Sequence, residues 1–291
     1  MDAIRVAVRR GEVVEAVHHV HAVAVADGSV VAEAGNTKLV CFLRSSAKPI
    51  QALQLVRALP DLDDDQIAVA SGSHLAEPAQ LEAVRRLLDT AGATESQLEC
   101  GVQEGRVAEP LYHNCSGKHA GMLAVCRARG WPTDGYHRAE HPLQQAILDD
   151  VADAAETREI PTAVDGCGVV TFASPLRTMA HAFARLEDLD GGARVVAAMR
   201  ARPDLVGGDG LLDTELMQTG SWAAKRGAEG LLCGVAPDGL AFAVKCEDGD
   251  FRALRPALGR FLELVGRPAK AMGPTLLRST DGQTVGEIVV A

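Results

Sequence analysis

Lysine is scarce in this chain, with 6 residues against 23 arginines among 291. Runs of basic residues are missing altogether, and the formal net charge is -10. A nucleic-acid surface needs clustered lysine and arginine to neutralise phosphates, so nucleic acid is excluded as a partner. Long apolar runs are also missing: no stretch reaches the roughly 18 to 20 residues that a bilayer-spanning helix needs. Met1-Asp2-Ala3-Ile4-Arg5 carries no basic segment leading into an apolar core, so the expectation is a cytoplasmic protein that engages no membrane. The 7 cysteines are odd in number and spread through the chain, which fits reduced thiols or metal ligands rather than a disulfide framework. Repeats, low-complexity tracts and linkers do not stand out. With 47% hydrophobic residues, residues 1–291 can bury a sizeable core as one large domain or two intimately packed ones, and the lack of a linker favours a single compact unit.

The first forty residues alternate apolar and polar positions between turn signals, over Ile4 to Val8, Val13 to Val20, Ala22 to Ala26 and Val30 to Ala34. That pattern predicts antiparallel strands. Leu39 to Leu43 predicts a further strand, and Ile50 to Leu59 has helical spacing, so Arg44 and Ser45 fall where a strand turns into a helix. Pro49 belongs in that helix's first turn, where its missing N–H costs nothing. Gln66 to Ala70 reads as a short buried strand, and Pro78 to Ala91 as a helix. Helices are predicted over His119 to Arg129, His141 to Glu156, Pro175 to Leu186, Gly192 to Arg202 and Pro256 to Val265. Gly230 to Val235 and Leu240 to Cys246 predict a hairpin about Pro237-Asp238-Gly239. The fold class is therefore α+β, helices packed on an antiparallel sheet.

Chemistry concentrates in a few segments. Arg44-Ser45-Ser46-Ala47-Lys48-Pro49 contains S-x-x-K at a helix start, where positions i and i+3 share a face and the Ser45 hydroxyl can meet the Lys48 amine. A lysine can lose its proton where an arginine cannot, and neutral lysine beside serine makes a nucleophile and base. By itself the pattern recurs by chance, and a helix cap followed by a solvated lysine is its plain alternative. Ser71-Gly72-Ser73-His74 is a second serine turn. Asn114-Cys115-Ser116-Gly117-Lys118-His119 precedes an apolar helix; it is no P-loop, because the G-x-x-x-x-G-K-[ST] spacing is absent and His119 replaces the hydroxyl. A metal corner on Cys115 and a helix N-terminal site for a substrate carboxylate both stay open there. Asp165-Gly166-Cys167-Gly168 is a second cysteine turn, and thiolates from two such turns can share a zinc. Lys245 ends an apolar strand, placed like the strand lysine of S-x-x-K acyl-transfer enzymes, with a pairing to Glu247 or Asp248 as the alternative.

Taken in order, these segments, with His141-Pro142 and Val244-Lys245-Cys246-Glu247-Asp248-Gly249, resemble the rhizobial-type (class 3) L-asparaginases, the asparaginase II family, over nearly the whole chain. The resemblance implies a fold similar to serine β-lactamases and glutaminases, a homodimer, and hydrolysis of L-asparagine to L-aspartate and ammonia. Carried over by position, it implies two tandems, Ser45 with Lys48 and Ser73 with Lys245. It implies one zinc per chain on Cys115, Lys118 and Cys167, organising the pocket rather than necessarily entering the chemistry. Arg44, His119 and Asp165 are implied as substrate-pocket residues. The chain is short for the family, and Leu75-Ala76 follow Ser73-His74 where small polar residues are usual, which bears on glutamine side-activity. Two rivals stay open: a serine amidohydrolase of the same fold acting on glutamine or a β-lactam, and a zinc-stabilised binding protein without catalysis.

Overall fold

A computed structural model describes residues 1–269 and 271–291. In chain order the strands are β1 (Ile4–Arg10), β2 (Val13–Ala26), β3 (Ser29–Ala34), β4 (Val40–Phe42), β5 (Thr162–Val164), β6 (Val170–Pro175), β7 (Ala223–Arg226), β8 (Leu231–Val235), β9 (Ala241–Cys246), β10 (Thr275–Arg278) and β11 (Thr284–Val290). The helices are α1 (Lys48–Gln51), α2 (Leu53–Ala58), α3 (Asp64–Ala70), α4 (Pro78–Ala91), α5 (Ser116–Arg129), α6 (Pro142–Ala155), α7 (Leu176–Ala184), α8 (Gly192–Ala201), α9 (Pro203–Val206), α10 (Leu212–Thr219) and α11 (Leu254–Leu264). Among the described residues, eight strands form one sheet in the order β10-β11-β1-β2-β9-β8-β7, with β3 paired to β2, and β4-β6-β5 form a small second sheet. Every pairing in both is antiparallel. The architecture is mixed α+β.

β9 shows why the sheet lies at the centre. Successive side chains of a strand point to opposite faces, yet all six residues of Ala241–Cys246 are buried, so both faces are covered. α7 packs against β2, β8 and β9, and α11 against β1, β2, β9 and β11. The remaining helices form a body beside the sheet, with α5 packed on α2, α3 and α4. A 3-10 turn, Arg44–Ala47, joins the two parts, touching β6, β7 and β8. Hence the segment carrying Ser45 is wedged between the sheet's β7 edge and the helical body.

Three readings need correction or extension. Gln66 to Ala70 is helical rather than a strand: Asp63 caps α3 by accepting the Gln66 amide at 3.0 Å, and the Gln66 side chain returns the bond to the Asp63 amide at 3.4 Å. Five consecutive buried residues hide any helical period, whereas this capping box marked the helix start. β2 runs unbroken across the expected break at His21. The C-terminal hairpin β10–β11, absent from the expected strands, extends the sheet beside β1. Among the described residues no helix is long and apolar enough to cross a membrane.

Candidate active site

A cleft of about 470 Å³ opens where the 3-10 turn, the α3–α4 connection, the start of α5 and the end of β7 meet; Arg44, Ser45, Ser73, Cys115, Asp165 and Cys167 line it, together with Arg226 and Phe251. Arg44 holds φ at 50°, a left-handed conformation that is unfavourable for a residue with a Cβ. Two contacts hold it there: its amide donates to Thr171 Oγ1 at 3.2 Å, and its Nε donates to Asp165 Oδ1 at 2.5 Å. The strained residue turns the chain sharply out of β4, so Ser45 faces the cleft. Ser46 Oγ then donates to the Lys225 carbonyl at 2.8 Å, fixing the turn to β7.

The Lys48 amine is fully buried. It donates to Ser73 Oγ at 2.8 Å and to the Gly72 carbonyl. Burial pulls its pKa below the ordinary lysine value, and Lys118 adds to the effect, while Cys115 and Cys167 oppose it. Lys48 therefore leans toward the neutral amine that accepts a proton. Gly72 is required by packing: a Cβ there would come within 2.6 Å of the Leu205 carbonyl oxygen.

Cys115, Lys118 and Cys167 converge beneath the cleft, with Lys118 Nζ 3.1 Å from Cys167 Sγ. A hydrogen bond from Cys115 holds the Cys167 thiol far below its usual range, helped by Lys118 and His119. The same bond, with burial, pushes Cys115 up. Burial alone would lower Lys118, but the Cys167 and Cys115 sulfurs and Asp165 carry it above its ordinary value. A thiolate and a second thiol brought together out of solvent are donors that zinc takes; Lys118, held as an ammonium beside the sulfurs, would have to release its proton to join them. His119, which the family resemblance implies as a substrate-pocket residue, is fully buried and does not line the cleft. Its Nδ1 meets Tyr136 Oη at 2.8 Å, and its Nε2 lies beside Cys167 without an ordinary hydrogen-bond partner. His119 thus backs the sulfur cluster from behind. A second cluster, His18, Cys246 and Asp248, has its imidazole spent: Nδ1 meets Asp248 Oδ2 at 2.6 Å and Nε2 accepts from Arg252 at 3.0 Å.

Lys245 is not brought to Ser73. Its amine donates to the Cys246 carbonyl, and its strand neighbour across the pairing is His21. β9 lies two strands in from the β7 edge, roughly 10 Å away at ordinary strand spacing. The strand lysine beside the site is Lys225, which the sequence reading passed over. Its fully buried amine donates to Asp213 Oδ2 at 3.1 Å and to the Arg226 carbonyl at 3.0 Å. Burial brings its pKa down to about 8, against the pull of Asp213 and with a push from Lys48. A signal was there to be read: Lys225-Arg226-Gly227 is a K-x-G at a strand end, the companion of S-x-x-K in related acyl-transfer enzymes. Gly227 is needed because a Cβ there would press on the Leu43 carbonyl.

His74, next to Ser73, is fully buried, with Nδ1 accepting the Ala76 amide at 3.1 Å and Nε2 meeting Ser116 Oγ at 2.8 Å. Burial, and then Lys48, lower its pKa from 6.5 to about 3. Between those values the unfolded chain binds a proton that the folded protein refuses, so stability present above pH 6.5 is lost as pH falls toward 3. Thermal unfolding followed across that range should show the midpoint dropping with acidity, and His74→Gln should flatten the slope. An unchanged slope in His74→Gln would remove His74 as a cause.

The fold is an antiparallel sheet with helices packed on it, and its cleft sets serine hydroxyls over buried amines. Residues 6–290 match the L-asparaginase II family; the protein belongs to that family and is an amidohydrolase. No curated protein matches the sequence. Among solved structures the chain is similar to a β-lactamase from Mycobacterium bovis, at 16% identity over 79% of this chain and 88% of that one with a TM-score of 0.33. It is also similar to a probable glutaminase from Bacillus subtilis complexed with 6-diazo-5-oxo-L-norleucine, at 13% identity over 86% of this chain and 85% of that one with a TM-score of 0.40.

Proposed function

We propose that the protein is an L-asparaginase that hydrolyses L-asparagine to L-aspartate and ammonia through an acyl-enzyme. The observation that carries the reading is the fully buried Lys48 amine 2.8 Å from Ser73 Oγ in a cleft that Ser45 also lines, where burial lowers the lysine's pKa and eases loss of its proton. Ser45 attacks the side-chain amide carbon. It is the more accessible of the two hydroxyls, half-buried where Ser73 is 4% exposed; Lys48, one turn along, takes its proton as base once the amine turns from Ser73 and the Gly72 carbonyl, its partners in the structure. Returned to the departing nitrogen, that proton releases ammonia, and water then attacks the ester with the same lysine as base. The 2.8 Å contact between Lys48 and Ser73 favours a second reading in which Ser73 is acylated. Backbone amides at the two serine turns are the donors for the tetrahedral oxyanion.

Cys115, Lys118 and Cys167 would hold the zinc, with His119 behind Cys167. When bound, the ion supplies positive charge and pocket order beside the reacting amide. The active unit is read as a cytoplasmic homodimer with residues 1–291 acting as one catalytic domain.

Ammonia release compared across L-asparagine, L-glutamine and a chromogenic β-lactam tests the substrate. Asparagine should be turned over fastest, and a preference for either of the others moves the activity to that amide. Substrate binding without ammonia release from any of them would make the protein a binding module. Element analysis of protein purified without chelators should find close to one zinc per chain. A Cys115→Ser, Cys167→Ser double variant should lose it, and zinc-free wild-type protein would sink the metal assignment.

A further inference from the structure

Two arginines line the cleft, and their donors are committed differently. Arg44 is spent on Asp165 at 2.5 Å. Arg226, 24% exposed in its side chain, has only Asp213 near it, and its Nε stands 3.8 Å from Asp213 Oδ1, beyond hydrogen-bond length. The Asp213 oxygens are taken by others: Oδ2 accepts from the Lys225 amine at 3.1 Å and the Arg226 amide at 3.2 Å, and Oδ1 accepts the Thr214 amide at 3.2 Å. Among the described residues, the Arg226 guanidinium donates no hydrogen bond; the bonds of Arg226 are those of its backbone.

The charge balance around it points the same way. One carboxylate, Asp213, faces both Lys225 and Arg226. Arg106 adds a further cation on this side, its own pKa lowered by burial and then by Arg226. With Asp213 set against Lys225, Arg226 and Arg106, and Glu104 a further carboxylate in the cleft lining, this wall carries surplus positive charge and a planar fork of donors, partly withdrawn from water, in the same cleft as both serines. A guanidinium in that state is matched by a carboxylate, which it can grip through two parallel hydrogen bonds.

We propose that Arg226 is the carboxylate-binding residue of the cleft, selecting amino-acid amides over simple amides by holding the α-carboxylate of the substrate. The choice of ligand rests on the asparaginase reading. Position follows from sequence: Arg226 is adjacent to Lys225 on β7, whose backbone carbonyl Ser46 holds, so the strand tied to the serine turn also delivers the anion clamp. Substrate chosen by this clamp is thereby placed against the catalytic turn, which Ser46 ties to the Lys225 carbonyl.

Calorimetric titration tests this apart from turnover, using L-aspartate and β-alanine, the same molecule without its α-carboxylate, on wild type, Arg226→Gln and Arg226→Lys. Wild type should prefer L-aspartate by about 10- to 100-fold, the range of hydrogen bonds to charged groups. Arg226→Gln should bring that ratio close to one, and Arg226→Lys should restore part of it. The ratio of kcat/KM for L-asparagine over 3-aminopropanamide should fall in parallel, mainly through KM. A wild-type ratio near one, or a ratio unaltered in Arg226→Gln, overturns the proposal. If the ratio collapses as expected but no ammonia is released from asparagine, the clamp stands and the asparaginase reading fails.

Discussion

Lys48→Met should lower ammonia release by about a thousandfold or more, the scale seen when a member of a catalytic dyad is removed. The side chain is fully buried, and methionine fills most of its volume without needing Ser73 or the Gly72 carbonyl as acceptors. Folding should survive, so the loss reports chemistry. Unfolding temperature measured beside turnover makes the distinction, and near-normal turnover in a folded Lys48→Met protein ends the role of Lys48 as base. Ser45→Ala should lose as much. Labelling with a diazoketone analogue of asparagine, followed by peptide mapping, then identifies the acylated hydroxyl: label on Ser45 supports the first reading, label on Ser73 the second. Because the base must be uncharged, activity should climb with pH through the Lys48 titration. Burial and Lys118 move that limb below 10.5, whereas the Cys115 and Cys167 sulfurs hold it up; Lys225, itself pushed down to about 8, is a further cation in the same field.

Asp213→Ala should destabilise the protein by about 3 kcal/mol, the low end for stranding one partner of a buried ion pair. Both partners, Asp213 and Lys225, are completely enclosed, and Arg226 and the Thr214 amide lose the same carboxylate. The low end applies because Lys225 can shed its proton, its pKa being already depressed to about 8. The cost should therefore shrink as pH rises through that region. Denaturant titration of Asp213→Ala at neutral and alkaline pH checks both size and sign, and an equal cost at the two pH values removes the ion pair as its source. Asp213→Ala should also impair turnover, since the carboxylate fixes Lys225 and the Arg226 amide at the cleft.

Much of this was visible before any coordinates. Alternation over the first forty residues marked β1 to β3, and the caps and spacing of α4 to α8 marked the helical body, because a half-buried element writes its period into the chain. α3 and β9 are buried on every side and write no period; length and caps alone separate them. β10 and β11 have short, half-exposed patterns with polar interruptions, so nothing local announced that they pair with β1. At the site, helical spacing put Ser45 and Lys48 one turn apart, but the Lys48 amine is bonded to Ser73, a partner from the α3–α4 connection that spacing along one helix does not contain. Cys115 and Lys118 share a turn, but Cys167 comes from another part of the chain, and lysine is outside the usual zinc donors, so only likeness to a family linked the three. Lys245 ends a predicted apolar strand, and the resemblance alone paired it with Ser73, whereas Lys225 lies in a short segment that no expected strand covered. What mattered was which strand forms the sheet's edge, and edge position is a property of pairing order that single-sequence periodicity does not contain.

The bond from Ser46 to the Lys225 carbonyl spans 179 positions. A ribosome delivers both serines long before it delivers the strand that pins them, so the nascent chain carries hydroxyls with no fixed geometry. Contacts this distant in sequence are slow to close. Hydrolytic competence should therefore arrive late in biogenesis and all at once, leaving partly synthesised chains inert.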